Sequence, residues 1–186
     1  MKVYLLDVNK NMIDAWKNHF GHTHDVWIVN DNFDNFMNHF HDVDCVVSPA
    51  NSFGLMDGGY DLAITKYFGN QLQERVQQYI IKNYYGEQPV GTSMVVPADG
   101  TRLLIHTPTM RYPQLIIDKQ VIYHCMRSTM ICAMQNHIGH IIIPAFGGGC
   151  GRVPFDVIAE MMYKAYMQFK DIPEELDWNY VSRRVI

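Results

Sequence analysis

Residues 45–69, CVVSPANSFGLMDGGYDLAITKYFG, set a short apolar run against a polar loop and then a helix-like segment. Cys45-Val46-Val47 has the composition of a buried strand. The loop that follows carries the side-chain amide of Asn51 and then the triplet Asp57-Gly58-Gly59. Tyr60-Asp61-Leu62-Ala63-Ile64 opens a helix with Asp61 in its first turn, where the helix dipole favours a carboxylate. Ligands in open α/β sheets bind beyond the carboxyl ends of the strands. Glycines at such a place let backbone N–H groups approach an anion closely. Asn and Gly also make ordinary surface turns for steric reasons alone, so this stretch by itself reads equally as a site or as a turn.

A second stretch bears on that choice. Ile141-Ile142-Ile143-Pro144-Ala145-Phe146 runs directly into Gly147-Gly148-Gly149-Cys150-Gly151-Arg152-Val153-Pro154. Four glycines in five positions (147–151) cost more backbone entropy than a tight turn requires. Backbone amides wrapping a phosphate or diphosphate account for the excess, with the following helix N-terminus adding partial positive charge. The loop is neither a P-loop, since no Lys-Ser/Thr follows the last glycine, nor a GxGxxG fingerprint. Arg152 reads either as a cation near that anion or as a solvated surface residue, with the first preferred. Cys150 has no neighbouring base in the sequence and reads as a small wall residue rather than a nucleophile.

Around these stretches, strand-like and helix-like segments alternate from end to end. Strands are predicted at 2–6, 25–29, 44–48, 92–96, 103–106 and 141–143, with a weakly marked closing strand at 177–185. Helices are predicted at 10–20, 31–40, 59–68, 71–84, about 118–137 and 153–169, with Asn70 and Asp118 as N-caps. The Phe33, Phe36, Met37 and Phe40 stripe reads as core rather than as a cofactor box. Pro97-Ala98-Asp99-Gly100 makes the 92–106 region a hairpin without an intervening helix, so the sheet is mixed. The expected fold class is α/β, a three-layer α/β/α sandwich with a mixed central sheet. Trp178 and Tyr180 read as core.

Bulk properties set limits on function. The chain has 186 residues, 48% of them apolar and 18% charged, as expected for one folded domain. A net charge of −4 argues against nucleic acid held through its phosphates, except as a modified substrate. The four cysteines lack CxxC spacing and read as reduced thiols. The nine histidines include no HExxH or compact Cys/His set, so no metal and no cofactor is expected. No apolar run approaches the ~20 residues that span a bilayer, and Met1-Lys2-Val3-Tyr4-Leu5-Leu6-Asp7 is charged too early for a signal peptide. A cytoplasmic protein of undetermined oligomeric state is expected.

Three motifs in order, Pro49-Ala50-Asn51-Ser52, Gly58-Gly59-Tyr60-Asp61-Leu62-Ala63-Ile64 and Pro144-Ala145-Phe146-Gly147-Gly148-Gly149 with Pro154, resemble the macrodomain family. That family reads N-A-A-N-S, G-G-G-V-D-x-A-I and P-A-(L/I)-G-T-G-x-x-G-x-P. Leu104-Ile105-His106-Thr107 resembles the family's strand before its last long helix, and the likeness spans roughly residues 25–170. It implies a single macrodomain-like unit over 1–186, with residues 1–24 as a strand–helix extension that lengthens the sheet or caps an edge. It also implies binding of ADP-ribose, or of an ADP-ribosylated substrate.

The residues implicated in ligand binding are Asp31, Asn51, Gly58, Gly59, Phe146, Gly147, Gly148, Gly149, Cys150, Gly151 and Arg152. By the same likeness Asp31, in Asn30-Asp31-Asn32, stands for the family's adenine-recognising Gly-Asp-Ile. In the hydrolytic branch, Asn51 orients the distal ribose and Asp61 positions or activates a water. Gly151 replaces a family aromatic and Arg152 a family glycine, which implies a wider or charged distal pocket. Three functions follow: an ADP-ribosyl hydrolase, a binder without turnover, and a phosphatase acting on a terminal phosphate of ADP-ribose.

Overall fold

A computed structural model describes residues 1–184. The chain runs β1 (Lys2–Asp7), α1 (Lys10–Phe20), β2 (Val26–Asn30), α2 (Phe33–His39), β3 (Cys45–Ser48), α3 (Gly59–Phe68) and α4 (Gln71–Tyr84). It continues with β4 (Met94–Pro97), β5 (Leu103–His106), α5 (Gln120–Gln135), β6 (His140–Ile143), α6 (Phe155–Lys170) and α7 (Trp178–Ser182). The strands form one sheet in the order β2-β1-β6-β3-β5-β4. Every pairing is parallel except β4 with β5, so the sheet is mixed for the reason the hairpin implied.

Alternation along the strands builds two cores. Val3, Leu5, Cys45, Val47, Ile105, Ile141 and Ile143 point to one face, where Trp16 of α1, Met126 of α5 and Met162 of α6 cover them. Tyr4, Leu6, Val46, Leu104 and Ile142 point to the other, beneath Phe36 of α2, Ile64 of α3 and Val76 of α4. Strands buried on both faces read as continuous apolar runs, which Ile141–Ile143 does.

Asp44 aligns the central strands at their amino ends. Its Oδ2 accepts from the amides of Gly139 (2.9 Å) and His140 (2.8 Å). Its own amide donates to the His140 carbonyl at 3.0 Å, and its carbonyl accepts from Leu103 at 2.8 Å.

Several expectations change. The N-terminal strand does not cap an edge; it lengthens the sheet from within, since β1 lies between β2 and β6 and β2 is the edge. The region expected as a closing strand is helical over Trp178–Ser182, capped by Asp177 Oδ1 accepting from the Tyr180 amide at 2.7 Å. Val185, which ended that expected strand, lies outside the described residues. Trp178 is 85% exposed, so it is not core. Asn70 makes no side-chain cap, and the turn into α4 is closed by the Leu72 amide donating to Gly69 at 3.0 Å. Lys119 precedes α5, with Asp118 Oδ1 accepting from the Gln120 amide at 2.9 Å. Among the described residues, no helix is long and apolar enough to cross a membrane.

Ile142 is fully buried and its strand lies at the middle of the sheet. Ile142→Ala is expected to lower stability by about 2–5 kcal/mol, read as a shift in urea midpoint at constant slope.

Candidate functional site

The parallel strands β1, β2, β3 and β6 all end at one edge of the sheet, and their following loops enclose a cleft of about 610 Å³. One wall is Gly58, Gly59, Tyr60 and Asp61 at the start of α3; the other is Gly147–Cys150 with Phe155 at the start of α6. The ends of β1 (Asp7, Val8, Asn9) and β2 (Asp31, Asn32, Phe33) close one side, and Asn51, Thr109, Met110 and Pro113 line the other.

Both principal loops are held rigidly. In the first, Asn51 Oδ1 accepts from the amides of Phe53 (3.1 Å) and Leu55 (3.4 Å), and its Nδ2 donates to the Leu55 carbonyl at 2.8 Å. The amide that the sequence marks as a ligand group thus also folds its own loop. Gln73 of α4 accepts from the Met56 amide at 2.7 Å, and Thr65 Oγ1 donates to the Met56 carbonyl at 3.0 Å. In the second loop, Gly147 has φ +80°, and a Cβ there would meet Ile122 Cδ1 at 2.8 Å. The amides of Arg152 and Val153 donate back to Gly149 and Gly147, each at 3.1 Å. Among the described residues, the N–H groups of Gly149 and Cys150 have no protein acceptor and stand at the cleft wall.

Residues 110–116 strap the two loops together. Asn51 bridges Met110, the Ser52 amide donates to Met110 at 3.1 Å, and the Ile116 amide donates to Gly151 at 3.0 Å. Arg111 anchors the strap outside the cleft, pairing with Glu87 at 2.6 Å and lying over the Phe53 ring at 5.5 Å.

Asp61 is the electrostatic centre of the cleft. Ser48 Oγ, at the end of β3, donates to its Oδ1 at 2.6 Å. Burial pushes its carboxyl up to about 7; the Ser48 bond opposes this and the nearby charge of Asp57 adds to it. The Tyr60 hydroxyl is buried beside it without a hydrogen-bond partner, and burial, then Asp61 and Asp7, raise its pKa. Burial also raises Asp7, against the pull of the Asn9 and Val8 amides.

Of the residues read from the sequence, Asp31, Asn51, Gly58, Gly59, Asp61, Gly147, Gly148, Gly149 and Cys150 share this cleft. Phe146, Gly151 and Arg152 are not among its lining residues. Phe146 is fully buried in the core against α5 and α6. Gly151 packs under the strap, where an added Cβ would meet the Gly147 carbonyl at 2.7 Å. Arg152 is exposed at φ +50°, a conformation that costs a non-glycine residue about 1–2 kcal/mol.

Ser48, Asp7, Tyr60 and the strap were missed. Asp7 had a readable signal, since Asp7-Val8-Asn9 follows a strand as Asn51 does. The strap had none, because its role rests on backbone hydrogen bonds. Among the described residues, no group of three or more His, Cys, Asp or Glu side chains is placed to hold a metal ion.

Comparison with known proteins adds a context. The family model described as Macro domain matches residues 47–162. An uncharacterized protein of Aquifex aeolicus is 30% identical over 132 residues, 69% of this chain and 76% of the relative. A protein of Escherichia fergusonii named O-acetyl-ADP-ribose deacetylase is 29% identical over 141 residues, 72% of this chain and 78% of the relative. The Oceanobacillus iheyensis macrodomain solved with ADP superposes with a TM-score of 0.61 at 21% identity, covering 69% of this chain and 70% of that one.

A buried carboxyl raised to about 7 binds a proton on folding between the ordinary Asp range and that value. The folded state then holds more protons than the unfolded chain, so this group makes stability fall as pH rises from about 4 to about 7. Asp61→Asn keeps an acceptor for Ser48 and removes the titration. Its melting temperature relative to the parent is expected to climb across that window and level off above it. A constant difference from pH 4 to 8 would show that Asp61 titrates normally.

Proposed function

Since the chain belongs to the macro domain family, we propose that its cleft binds ADP-ribose, or a ligand built on it, and that Asp61 hydrolyses a bond at the distal ribose. The observation carrying the binding reading is the convergence of two glycine-bearing strand ends on one cleft, with the Gly149 and Cys150 amides free at its wall. Amides of this kind, beside the N-terminus of α6, suit a diphosphate. The named activity of the Escherichia fergusonii relative and the ADP of the Oceanobacillus iheyensis macrodomain support a ligand of this class.

The chemistry starts from the anomeric carbon. Departure of a group from it builds oxocarbenium character, which a carboxylate beside it stabilises. The ionised Asp61 then accepts a proton from the attacking water, and the anchored loops hold the ribose in line. Ser48 fixes the carboxylate's direction through its 2.6 Å hydrogen bond. With a carboxyl of about 7, base catalysis is expected to strengthen as pH rises through neutrality. No metal enters this scheme.

A second reading, capture without turnover, is favoured by one observation. The Asn51 amide is engaged by its own loop at both its oxygen and its nitrogen, leaving one N–H for a ribose. The phosphatase reading loses its support, because Arg152 does not line the cleft.

Calorimetry with ADP-ribose is expected to show binding in the micromolar range or tighter. Absence of heat at high micromolar ligand would sink the binding claim. Asp61→Ala is expected to keep binding while slowing release of ADP-ribose from a modified protein by 100-fold or more, roughly the contribution of one general base. Unchanged turnover in that variant removes Asp61 from the chemistry, and no turnover by the parent leaves the capture reading.

A further inference from the structure

The cleft presents four carboxylates, Asp7, Asp31, Asp57 and Asp61, and no lysine, arginine or histidine lines it among the described residues. A site for a diphosphate with this charge works against its own ligand, since like charges in a partly desolvated cleft repel more strongly than in water. Three of the four carboxylates have structural partners. Asp31 accepts from the Asn32 amide at 2.8 Å and from Asn35 Nδ2 at 2.5 Å, Asp7 accepts from the Asn9 amide at 2.7 Å, and Asp61 holds Ser48.

Asp57 is different. It is exposed at the mouth, and among the described residues its carboxylate makes no hydrogen bond or ion pair. It stands where the family pattern G-G-G-V-D has its first glycine, so this chain carries a negative charge next to Asp61 that the pattern lacks. The Tyr60 hydroxyl, from a residue of the same wall, is buried and makes no hydrogen bond.

We propose that the ligand of this cleft is an ADP-ribose bearing a cationic nitrogen group on the anomeric carbon of its distal ribose, and that Asp57 selects for that charge. The inference rests on the ADP-ribose reading of the site. A pyridinium or a guanidinium in this position offsets the carboxylates that the diphosphate alone leaves unbalanced. It also suits the chemistry available. When the C–N bond breaks, both its electrons go to the nitrogen and the group departs neutral, so no general acid is needed. Water adds to the anomeric carbon and gives its proton to Asp61. Asp57 then acts in recognition, and Asp61 remains the only carboxylate asked to move a proton.

The test uses the full chain and three soluble probes at low salt: ADP-ribose, NAD+ and NADH. The last two share every group except the charged, oxidised ring. NAD+ is expected to bind about fivefold or more tightly than NADH, the size of one charge pair at contact in water. Asp57→Asn is expected to bring that ratio close to one and to tighten ADP-ribose, and raising salt should shrink the ratio in the parent. Equal affinity for NAD+ and NADH in the parent, or a ratio unchanged in Asp57→Asn, overturns the proposal. So does binding that depends on added magnesium without cation preference, which would assign the carboxylates to a divalent ion. A failure of ADP-ribose itself to bind falls on the function proposed above instead. The source of the cation is then read by incubation with NAD+ and with peptides ADP-ribosylated on arginine or on aspartate. Nicotinamide release identifies the pyridinium, and preferential turnover of the arginine peptide identifies the guanidinium. Preference for the aspartate ester counts against both.

Discussion

Everything at the candidate site depends on β3 and β6 lying side by side and parallel, with Val46 opposite Ile142. Parallel neighbours deliver their following loops to the same edge of a sheet, so the Asn51 loop and the glycine loop meet only because of this pairing. Asp44 secures it from the opposite end, where its carboxylate takes two amides from the start of β6 and its carbonyl takes the amide of Leu103. A slip of one residue would turn Ile142 out of one core and into the other. The apolar registers of both faces therefore protect the geometry of the cleft, some distance from any residue that touches it.

The strap over residues 110–116 adds a second constraint at the other end of these loops. It bonds Ser52 on one side and Gly151 on the other, so neither loop can move without the other. Gly151 has its place here: it makes room for the Ile116 side chain, and a Cβ would meet Ile116 Cδ1 at 2.7 Å. The surplus of glycine in the loop thus has two causes. Gly149 is open to the cleft with nothing near its missing side chain, whereas Gly147 and Gly151 are demanded by packing beneath it.

That division marks how far the sequence could be read. Strand and helix positions were legible because apolar periodicity reports burial, and burial is what a sheet between two helical layers imposes at each strand. Asn51, Asp61 and Gly147–Gly149 were legible because they follow strands directly, where the chain must leave the sheet and ligands can enter. Phe146 and Gly151 carry the same local signal yet face inward, a distinction made only by which side of the loop α5 and the strap occupy. Arg152 looked like a ligand cation by adjacency, but its left-handed backbone turns the chain toward Val153 and the start of α6. Trp178 misled for a different reason. Its large apolar surface suggests core, while the helix bearing it buries none of its residues.

The position of β1 explains why Asp7 was not foreseen at the cleft. The family match begins at residue 47, so β1, α1, β2 and α2 lie before it, and the strand order nevertheless puts β1 against β6 inside the sheet. Asp7, Val8, Asn9, Asp31, Asn32 and Phe33 therefore reach the cleft from outside the matched segment. The glycine loop and the Asn51 loop come from within it. The cleft is a composite: a half within the matched segment, able to hold a phosphate-bearing ligand and carrying Asp57 and Asp61, and a half before it that adds Asp7 and Asp31 to the acidic lining. Asp7 from one half and Asp61 from the other both add to burial in raising the pKa of the Tyr60 hydroxyl, so the two halves meet at that side chain.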